Sequence, residues 1–499
     1  MFVTKESTKY EVKEMVKDGL YWADQLKTKQ LSFSEYVQQL EAKIKQLNPE
    51  INALVTFEKK AALEQYKRTP KLEETPFGGL PIALKMLGQD KKDWLSTNGS
   101  RLFTNHRAKQ TSHFVQRLEQ NGFIPIGQSA SPEFGFKNVT DAKIYGDTRN
   151  PNQLDRSAGG SSGGAAALVA SGIFPLAAAS DGGGSIRIPA SFNGLIGLKP
   201  TRGTMPVGPS GWRSWQGAAI SFALTISMRD TETLFYGMRG TESAAPYQAP
   251  FSEWHLPKNK QKKLRIAYHT DSPVGSFVSP DAIEAVKQAC LFLAQQGHKV
   301  EEIVYPVNGP QLIRDYYQMN GAETAAMFEN IQQALKRPLT KADMELMTWA
   351  IYQYGQKLSA ASYVHSLASW DEAAWKMENL FSTYDLFLSP TTAHVAPKIQ
   401  TDLQSDTIRQ RLNHFEDYSA NEAAFFIYEM FEKSLALSPY TQLANLTGQP
   451  AISLPTYATE KGLPLGIQFM AAKGREDLLF QIGYVFEQAY QFCLAKAYR

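Results

Sequence analysis

A chain of 499 residues is long enough for one large core or about three domains. Its 43% hydrophobic and 20% charged content is that of a globular protein and excludes disordered and fibrous classes. The net charge of +3, from 52 basic and 49 acidic residues, provides no field that would draw in nucleic acid or an anionic membrane.

In chain order, the opening MFVTKESTKYEVKEMV lacks the apolar stretch of a secretory signal, so the expected location is the cytoplasm. Within 9–47, Leu20, Trp22, Ala23 and Leu26, then Tyr36, Leu40, Ile44 and Leu47, recur at helical spacing. This predicts two helices with one buried face each, in an N-terminal helical region spanning 1–75. From 78 to 130 the short apolar runs LPIALKML and FIPIGQSA flank a helix-like stretch at 111–120 that ends at Asn121 and Gly122. Such alternation predicts an α/β sheet, with the core segment over 76–260. The weakly polar run 163–180 is interrupted by Gly172 and Pro175 and falls short of the ~20 apolar residues a membrane-spanning helix needs. The basic cluster KNKQKKLR at 258–265 reads as a solvated linker before a strand.

Further on, LRIAYHTD, a helix at 281–296 and KVEEIVYP predict a β–α–β unit. Residues 310–382 hold aromatic and alanine positions at helical spacing and read as a helical cap. YDLFLSPTT, PAISLPT, GIQFMA and a helix at 475–495 return to the sheet pattern, making 261–499 its second half. No linker or repeat divides the chain, which predicts one domain over 1–499. Cys290 and Cys493 are the only cysteines; both fall in amphipathic, helical-looking segments and are expected as buried free thiols in a reducing compartment.

Three features carry chemistry. Lys85 lies in the apolar run PIALKML, where an ammonium is costly unless it is paired or neutralised. Taken alone, it reads first as a snorkelling side chain. To serve as a base it must lose its proton, and desolvation on an apolar strand shifts a lysine downward from ~10.4 in the required direction. Ser161 and Ser162 sit in GGSSGG, a glycine-rich turn that opens an alanine-rich helix. No phosphate-loop lysine follows. G-x-S-x-G is satisfied around Ser162, yet the preceding NPNQLDRSA is not the buried strand that a nucleophile elbow requires.

The third feature is DGGGSIR. Gly182, Gly183 and Gly184 ahead of Ser185 allow consecutive backbone N–H groups to converge on one point, as in an oxyanion hole. Asp181 and Arg187 are placed either to pair across this turn or to form a surface ion pair of little value. The eight histidines show no metal-binding spacing and no dinucleotide fingerprint follows a strand, so no metal is expected. His106 and His113 are distant alternatives for a base.

GGSSGG, DGGGSIRIPA and GLIGLKPTRG, together with PFGGLPIALK, QNGFIPIGQSASPEFG, YDLFLSPTT, NLTGQPAISLP and GREDLL, resemble the amidase signature family of Ser–Ser–Lys hydrolases over roughly 30–490. The resemblance implies an α/β/α sandwich around a twisted mixed sheet and hydrolysis of a carboxylic amide. Its implied partners are a small-molecule amide and water, without cofactor, nucleic acid or membrane, in a monomer or homodimer. Carried over by position, it makes Ser185 the nucleophile that forms an acyl-enzyme, Ser161 the bridging serine after a cis peptide, and Lys85 the base. The backbone N–H groups of Gly182, Gly183, Gly184 and Ser185 become the oxyanion donors, with Ser162, Asp181 and Arg187 supporting the turn.

The chain departs from the family pattern in two places. Ala179-Ser180-Asp181 stands where the family has Gly-Thr-Asp, and Gly182 replaces a larger residue, which would loosen the oxyanion hole. ASDGGGSIRIPAS, WQGAAISFALTISMRD and MELMTWAIYQYGQKLSA are most similar to the branch that contains 6-aminohexanoate cyclic dimer hydrolases. Other readings are the glutaminase subunit of an aminoacyl-tRNA amidotransferase, from which 310–382 looks different, a non-catalytic binding protein, and an esterase built on Ser162. The pocket is expected along the loop Glu133–Thr140, the Trp212–Trp215 turn and the 310–382 helices, with an apolar, aromatic lining suited to uncharged amides.

Overall fold

The computed structural model describes residues 16–240, 242–250 and 262–499. The start of the expected N-terminal region, and 258–261 of the basic cluster, lie outside the described residues. The expected helical pair is α1 (Gly19–Lys27) and α2 (Phe33–Ile51). A capping box between Ser32 and Glu35 starts α2, and Asn52 in the left-handed conformation ends it. The chain continues through β1 (Leu54–Phe57), α3 (Lys59–Arg68), β2 (Pro81–Lys85), α4 (His113–Gln120) and β3 (Ile124–Ser129). A small hairpin, β4 (Arg149–Asn150) and β5 (Gln153–Ser157), precedes α5 (Gly163–Ala170), β6 (Ala177–Asp181), α6 (Arg187–Asn193), β7 (Ile196–Lys199), β8 (Ile220–Thr225) and α7 (Met228–Met238). The predicted β–α–β unit is β9 (Arg265–Tyr268), α8 (Pro280–Gln295) and β10 (Lys299–Glu302), with the two strands paired in parallel.

The cap consists of α9 (Gly309–Leu335), α10 (Leu346–Gln356) and α11 (Ala360–Thr383). After β11 (Leu386–Pro390) it gains two helices that the sequence pattern did not single out, α12 (Asp406–Leu412) and α13 (Ala420–Leu437). Phe415, Phe426, Ile427 and Met430 bury them against Ile351 and Tyr354 of α10. The chain closes with α14 (Gln442–Thr447), β12 (Ala451–Ala458), β13 (Pro464–Met470) and α15 (Glu476–Gln488). The last helix is shorter than 475–495, so Cys493 lies beyond it in non-helical chain. Both cysteines are free, as expected, but they are partly buried rather than buried, and only Cys290, in α8, is helical.

The strands form a mixed sheet of eight, in the order β10-β9-β11-β13-β12-β7-β8-β6, and a sheet of three, β1-β3-β2. β2 runs beside β6, where the Gln89 side chain ties them by accepting from the Lys85 N–H (2.7 Å) and donating to the Ala179 carbonyl (2.9 Å). Strand alternation sends residues to two faces. Phe469 meets Phe486 of α15 on one face, and Phe292 of α8 packs on Phe486 there. On the other face Gly197 leaves room for Ala190 of α6, and Gln468 reaches Arg187. This is the α/β/α layering expected. Helix α5 is buried along its whole length, and its small residues permit that: a Cβ on Gly164 would lie 2.4 Å from the Ala130 nitrogen. No helix of the described residues is long and apolar enough to cross a membrane.

Candidate active site

The chemistry-bearing residues collect where β2 and β6 end, the edge at which α/β sheets commonly bind ligands. Lys85 is the last residue of β2 and is 1% exposed. Its Nζ donates to Ser161 Oγ at 2.8 Å and to Ser180 Oγ at 2.9 Å. Burial pulls its pKa down from 10.5 to about 7, against the Asp181 carboxylate, which pulls it upward. The reading of Lys85 as a snorkelling surface residue is therefore excluded. Ser180, one of the two departures from the family pattern, provides a hydroxyl that holds the amine.

Ser161 is buried and follows a cis peptide bond from Gly160. Ser162, also buried, donates from Oγ to the Ser180 carbonyl (3.1 Å) and accepts from the Ser180 N–H (3.3 Å), so it ties the glycine turn to β6. Those bonds engage its hydroxyl in holding the backbone together, and the preceding β5 is a largely exposed strand. Ser185 is partly exposed, and among the described residues its hydroxyl has no hydrogen-bond partner. Its carbonyl accepts from the Ser162 N–H (3.3 Å), which brings the two serine clusters together.

The turn 182–185 is shaped by a buried ion pair. Arg187 and Asp181 are both fully buried, with Nε to Oδ2 and Nη2 to Oδ1 each 2.9 Å, a bidentate fork. Burial alone would raise the Asp181 pKa, but Arg187 and the Asn445 amide hold the carboxyl well below the usual range. The other guanidinium donors reach Gln468 Oε1 and Asn445 Oδ1, both at 2.6 Å. Asp181 also accepts from the backbone N–H groups of Gly184 (2.7 Å), Ile186 (3.2 Å) and Arg187 (3.4 Å). The Gly184 N–H, one of the four expected oxyanion donors, is thus already occupied. The carbonyl of the same peptide unit, on Gly183, accepts from Thr441 Oγ1 at 2.6 Å. With that peptide tied at both ends, the N–H groups of Gly182, Gly183 and Ser185 remain without intramolecular partners among the described residues.

We expect Arg187→Met to cost about 3–5 kcal/mol, because the Asp181 charge would stay buried without its partner. Denaturant unfolding measures the loss, and a change below about 1 kcal/mol would show that the pair does not hold the turn.

Glycines at 182–184 allow the cap to close in. A Cβ on Gly183 would meet the Tyr316 hydroxyl at 2.3 Å, and one on Gly182 the Trp215 ring at 3.1 Å. The second departure from the family pattern thus does not loosen the turn, because the Trp215 ring occupies the space a side chain would take. Trp215 stacks near-parallel on Phe136 (6.0 Å, 6°) and meets Tyr316 edge-on (6.1 Å). Phe134, Trp215 and Gln216 hold left-handed backbone (φ 48°, 48° and 49°), conformations that bulky residues adopt only where their surroundings enforce them. Trp212 is not part of this wall and packs on His113 instead, whose Nδ1 lies 2.9 Å from the Val207 carbonyl. Neither His113 nor His106 is hydrogen-bonded to a site serine.

Sequence reasoning missed Thr441, Asn445, Gln468, Gln89 and Tyr316. Each bonds or packs on a partner 90 to 281 positions away, so local spacing carried no signal for them.

The family model for amidases matches residues 35–480. The chain is 38% identical over 491 residues to a lipoamidase of Enterococcus faecalis, covering 97% of this chain but only 65% of that protein's length. It is 31% identical to the 6-aminohexanoate-cyclic-dimer hydrolase of Paenarthrobacter ureafaciens, covering 95% of each chain. A solved structure of 6-aminohexanoate cyclic dimer hydrolase complexed with substrate superposes with a TM-score of 0.85 at 29% identity, covering 97% of this chain and 99% of that one. A match over most of the chain, on a fold that agrees throughout, establishes that this protein belongs to the amidase family of carbon–nitrogen hydrolases.

Proposed function

We propose that the protein hydrolyses an uncharged carboxylic amide through an acyl-enzyme on Ser185, with Ser161 as relay and Lys85 as base. The supporting observation is the buried 2.8 Å contact between Lys85 and Ser161, with the lysine brought to a pKa of about 7. As a neutral amine Lys85 has one lone pair for the Ser161 proton while its N–H groups still reach Ser180. Ser161 in turn accepts the Ser185 proton as Ser185 Oγ bonds to the carbonyl carbon. Ser185 Oγ has no partner among the described residues, and substrate binding closes the serine–serine link, as catalytic hydrogen bonds often tighten only in the complex.

The tetrahedral oxygen takes up its negative charge beside the N–H groups of Gly182, Gly183 and Ser185. The protonated Lys85 returns a proton through Ser161 to the departing nitrogen, so the C–N bond breaks with a neutral amine leaving. A water, deprotonated by the same relay, then cleaves the ester and regenerates Ser185. No step calls for a cofactor. We place the protein in the cytoplasm as a single catalytic domain that needs no macromolecular partner.

Hydroxylamine tests the acyl-enzyme directly. With an aryl amide as substrate, added hydroxylamine should divert acyl groups to the hydroxamate while arylamine release continues. Arylamine release without hydroxamate at any hydroxylamine concentration would remove the covalent intermediate. Ammonia release from glutamine alone, with no other amide cleaved, would move the chain to the glutaminase reading.

A further inference from the structure

The Thr441 hydroxyl turns away from its own helix toward the turn that carries Ser185. Thr441 immediately precedes α14, a position where a threonine or serine oxygen ordinarily accepts from an N–H of the first turn. The serines ahead of α2, α4, α7, α8 and α13 all do so. Thr441 has helical dihedrals instead (φ −77°, ψ −28°) and makes no cap hydrogen bond. Fully buried, it donates from Oγ1 to the Gly183 carbonyl, 258 positions away, at 2.6 Å. Gly184 admits this approach: its φ of 127° lies in the left-handed region, and a Cβ there would come within 2.6 Å of the Thr441 Cβ.

The bond lands on the peptide unit that joins Gly183 to Gly184. Asp181 holds the N–H end of that unit (2.7 Å) and Thr441 holds the C=O end. With glycine on both sides, no Cβ opposes rotation of the peptide plane about its Cα–Cα axis. Such rotation changes ψ of Gly183 and φ of Gly184 together, and so re-aims the N–H groups on either side, those of Gly183 and Ser185. Both are among the donors left without intramolecular partners among the described residues. A donor to a developing charge acts at full strength only when it is held within about 0.5 Å of its working position.

We propose that Thr441 is a positioning residue whose hydroxyl clamps the Gly183 carbonyl and thereby fixes the direction in which the Gly183 and Ser185 N–H groups meet the tetrahedral oxygen. Asp181 by itself secures one end of the peptide and leaves the other free to tilt. Because the clamp is a neutral hydroxyl, it orients the donors without altering the charge that acts on Lys85. Helix α14 keeps its place without this bond: Asn445, one turn on, donates to the carbonyls of Asp181 (3.0 Å) and Ala218 (2.9 Å), and Tyr440 donates to the Thr270 carbonyl (2.7 Å). The inference rests on the acyl-enzyme reading given above.

The test uses the full-length protein and an aryl amide. Thr441→Val, which keeps the shape and removes the hydroxyl, should lower kcat by about 10–100-fold, a part of what losing a whole oxyanion donor costs, with KM within about twofold of wild type. Affinity for a trifluoromethyl ketone, whose serine adduct is a tetrahedral oxyanion, should fall by a similar factor. The midpoint of the pH profile should stay where it is in the wild type, and Thr441→Ser should recover kcat to within about threefold. Thermal melts establish that each variant folds, and Thr441→Ala carries the same expectations if the valine variant does not. Wild-type kcat without the hydroxyl, a loss carried by KM, unchanged ketone affinity, a shifted pH midpoint, or a serine variant as slow as the valine one overturns the inference and leaves the amidase reading standing. If the wild type cleaves no aryl amide and a serine-directed phosphonate leaves Ser185 unlabelled, the amidase reading falls together with the inference.

Discussion

Ser185→Ala is expected to lower amide turnover by about 10⁵–10⁶-fold, leaving only the rate that binding and the backbone donors support on their own. The size follows from what is removed. The Ser185 hydroxyl is the group that would form the covalent bond, and it stands partly exposed and unengaged at the mouth of the turn. Ser162→Ala is the control, because Ser162 Oγ bonds the Ser180 backbone and is buried. It should retain far more activity than Ser185→Ala and should still be labelled at Ser185 by a phosphonate. If Ser162→Ala were the inactive variant and Ser185→Ala stayed within tenfold of wild type, the nucleophile would be misassigned and the esterase elbow restored.

Lys85→Met should lower kcat by about 10³–10⁴-fold or more, since neither serine then has a proton acceptor. On the proposed mechanism the active form in the wild type is the neutral amine. With a pKa of about 7, kcat/KM should rise with pH through that value and level off above it, whereas an unperturbed lysine would keep the rate rising past pH 9. A profile flat from pH 6 to 9 would exclude Lys85 as the base.

The same shift has a stability consequence of opposite sign to the catalytic one. The unfolded chain holds its Lys85 proton to a pH of ~10.4, and the folded chain releases it near 7, so between these values the unfolded state binds more protons and stability rises with pH. Below pH 7 the fold bears the full penalty of about 5 kcal/mol. Lys85→Met removes it but also removes the bonds to Ser161 and Ser180, worth about 2 kcal/mol together. A net gain of about 2–3 kcal/mol at pH 6, vanishing near about pH 9 and turning into a loss above it, should appear in denaturant melts.

The motifs of the candidate site were legible because glycines and serines in GGSSGG and DGGGSIR constrain local backbone, and that constraint is written in adjacent residues. The helical cap was legible only in part. α9, α10 and α11 follow their periodicity, whereas α12 and α13 add a second cluster around Phe415 and Phe426 that the sequence pattern did not mark as part of the cap. Among the expected oxyanion donors Gly184 stands apart, because its N–H is engaged by Asp181. Three consecutive glycines look equivalent in sequence, and only the Asp181 carboxylate, folded back 2.7 Å from the Gly184 nitrogen, distinguishes them. Trp215 filling the space beside Gly182 was equally hidden, since 33 positions separate the two.

By itself the sequence determined the layered class, the candidate triad Lys85, Ser161 and Ser185, and the amidase resemblance, because periodicity, glycine freedom and motif spacing are properties of short segments. Tertiary structure decided the rest. It set the Lys85 pKa by burying the amine where β2 meets β6, chose the free N–H groups through the Asp181–Arg187 pair, and carried Tyr316 against Gly183 from a distant helix. Desolvation and long-range hydrogen bonding depend on which residues become neighbours in space, and neighbours in space are what chain order leaves open.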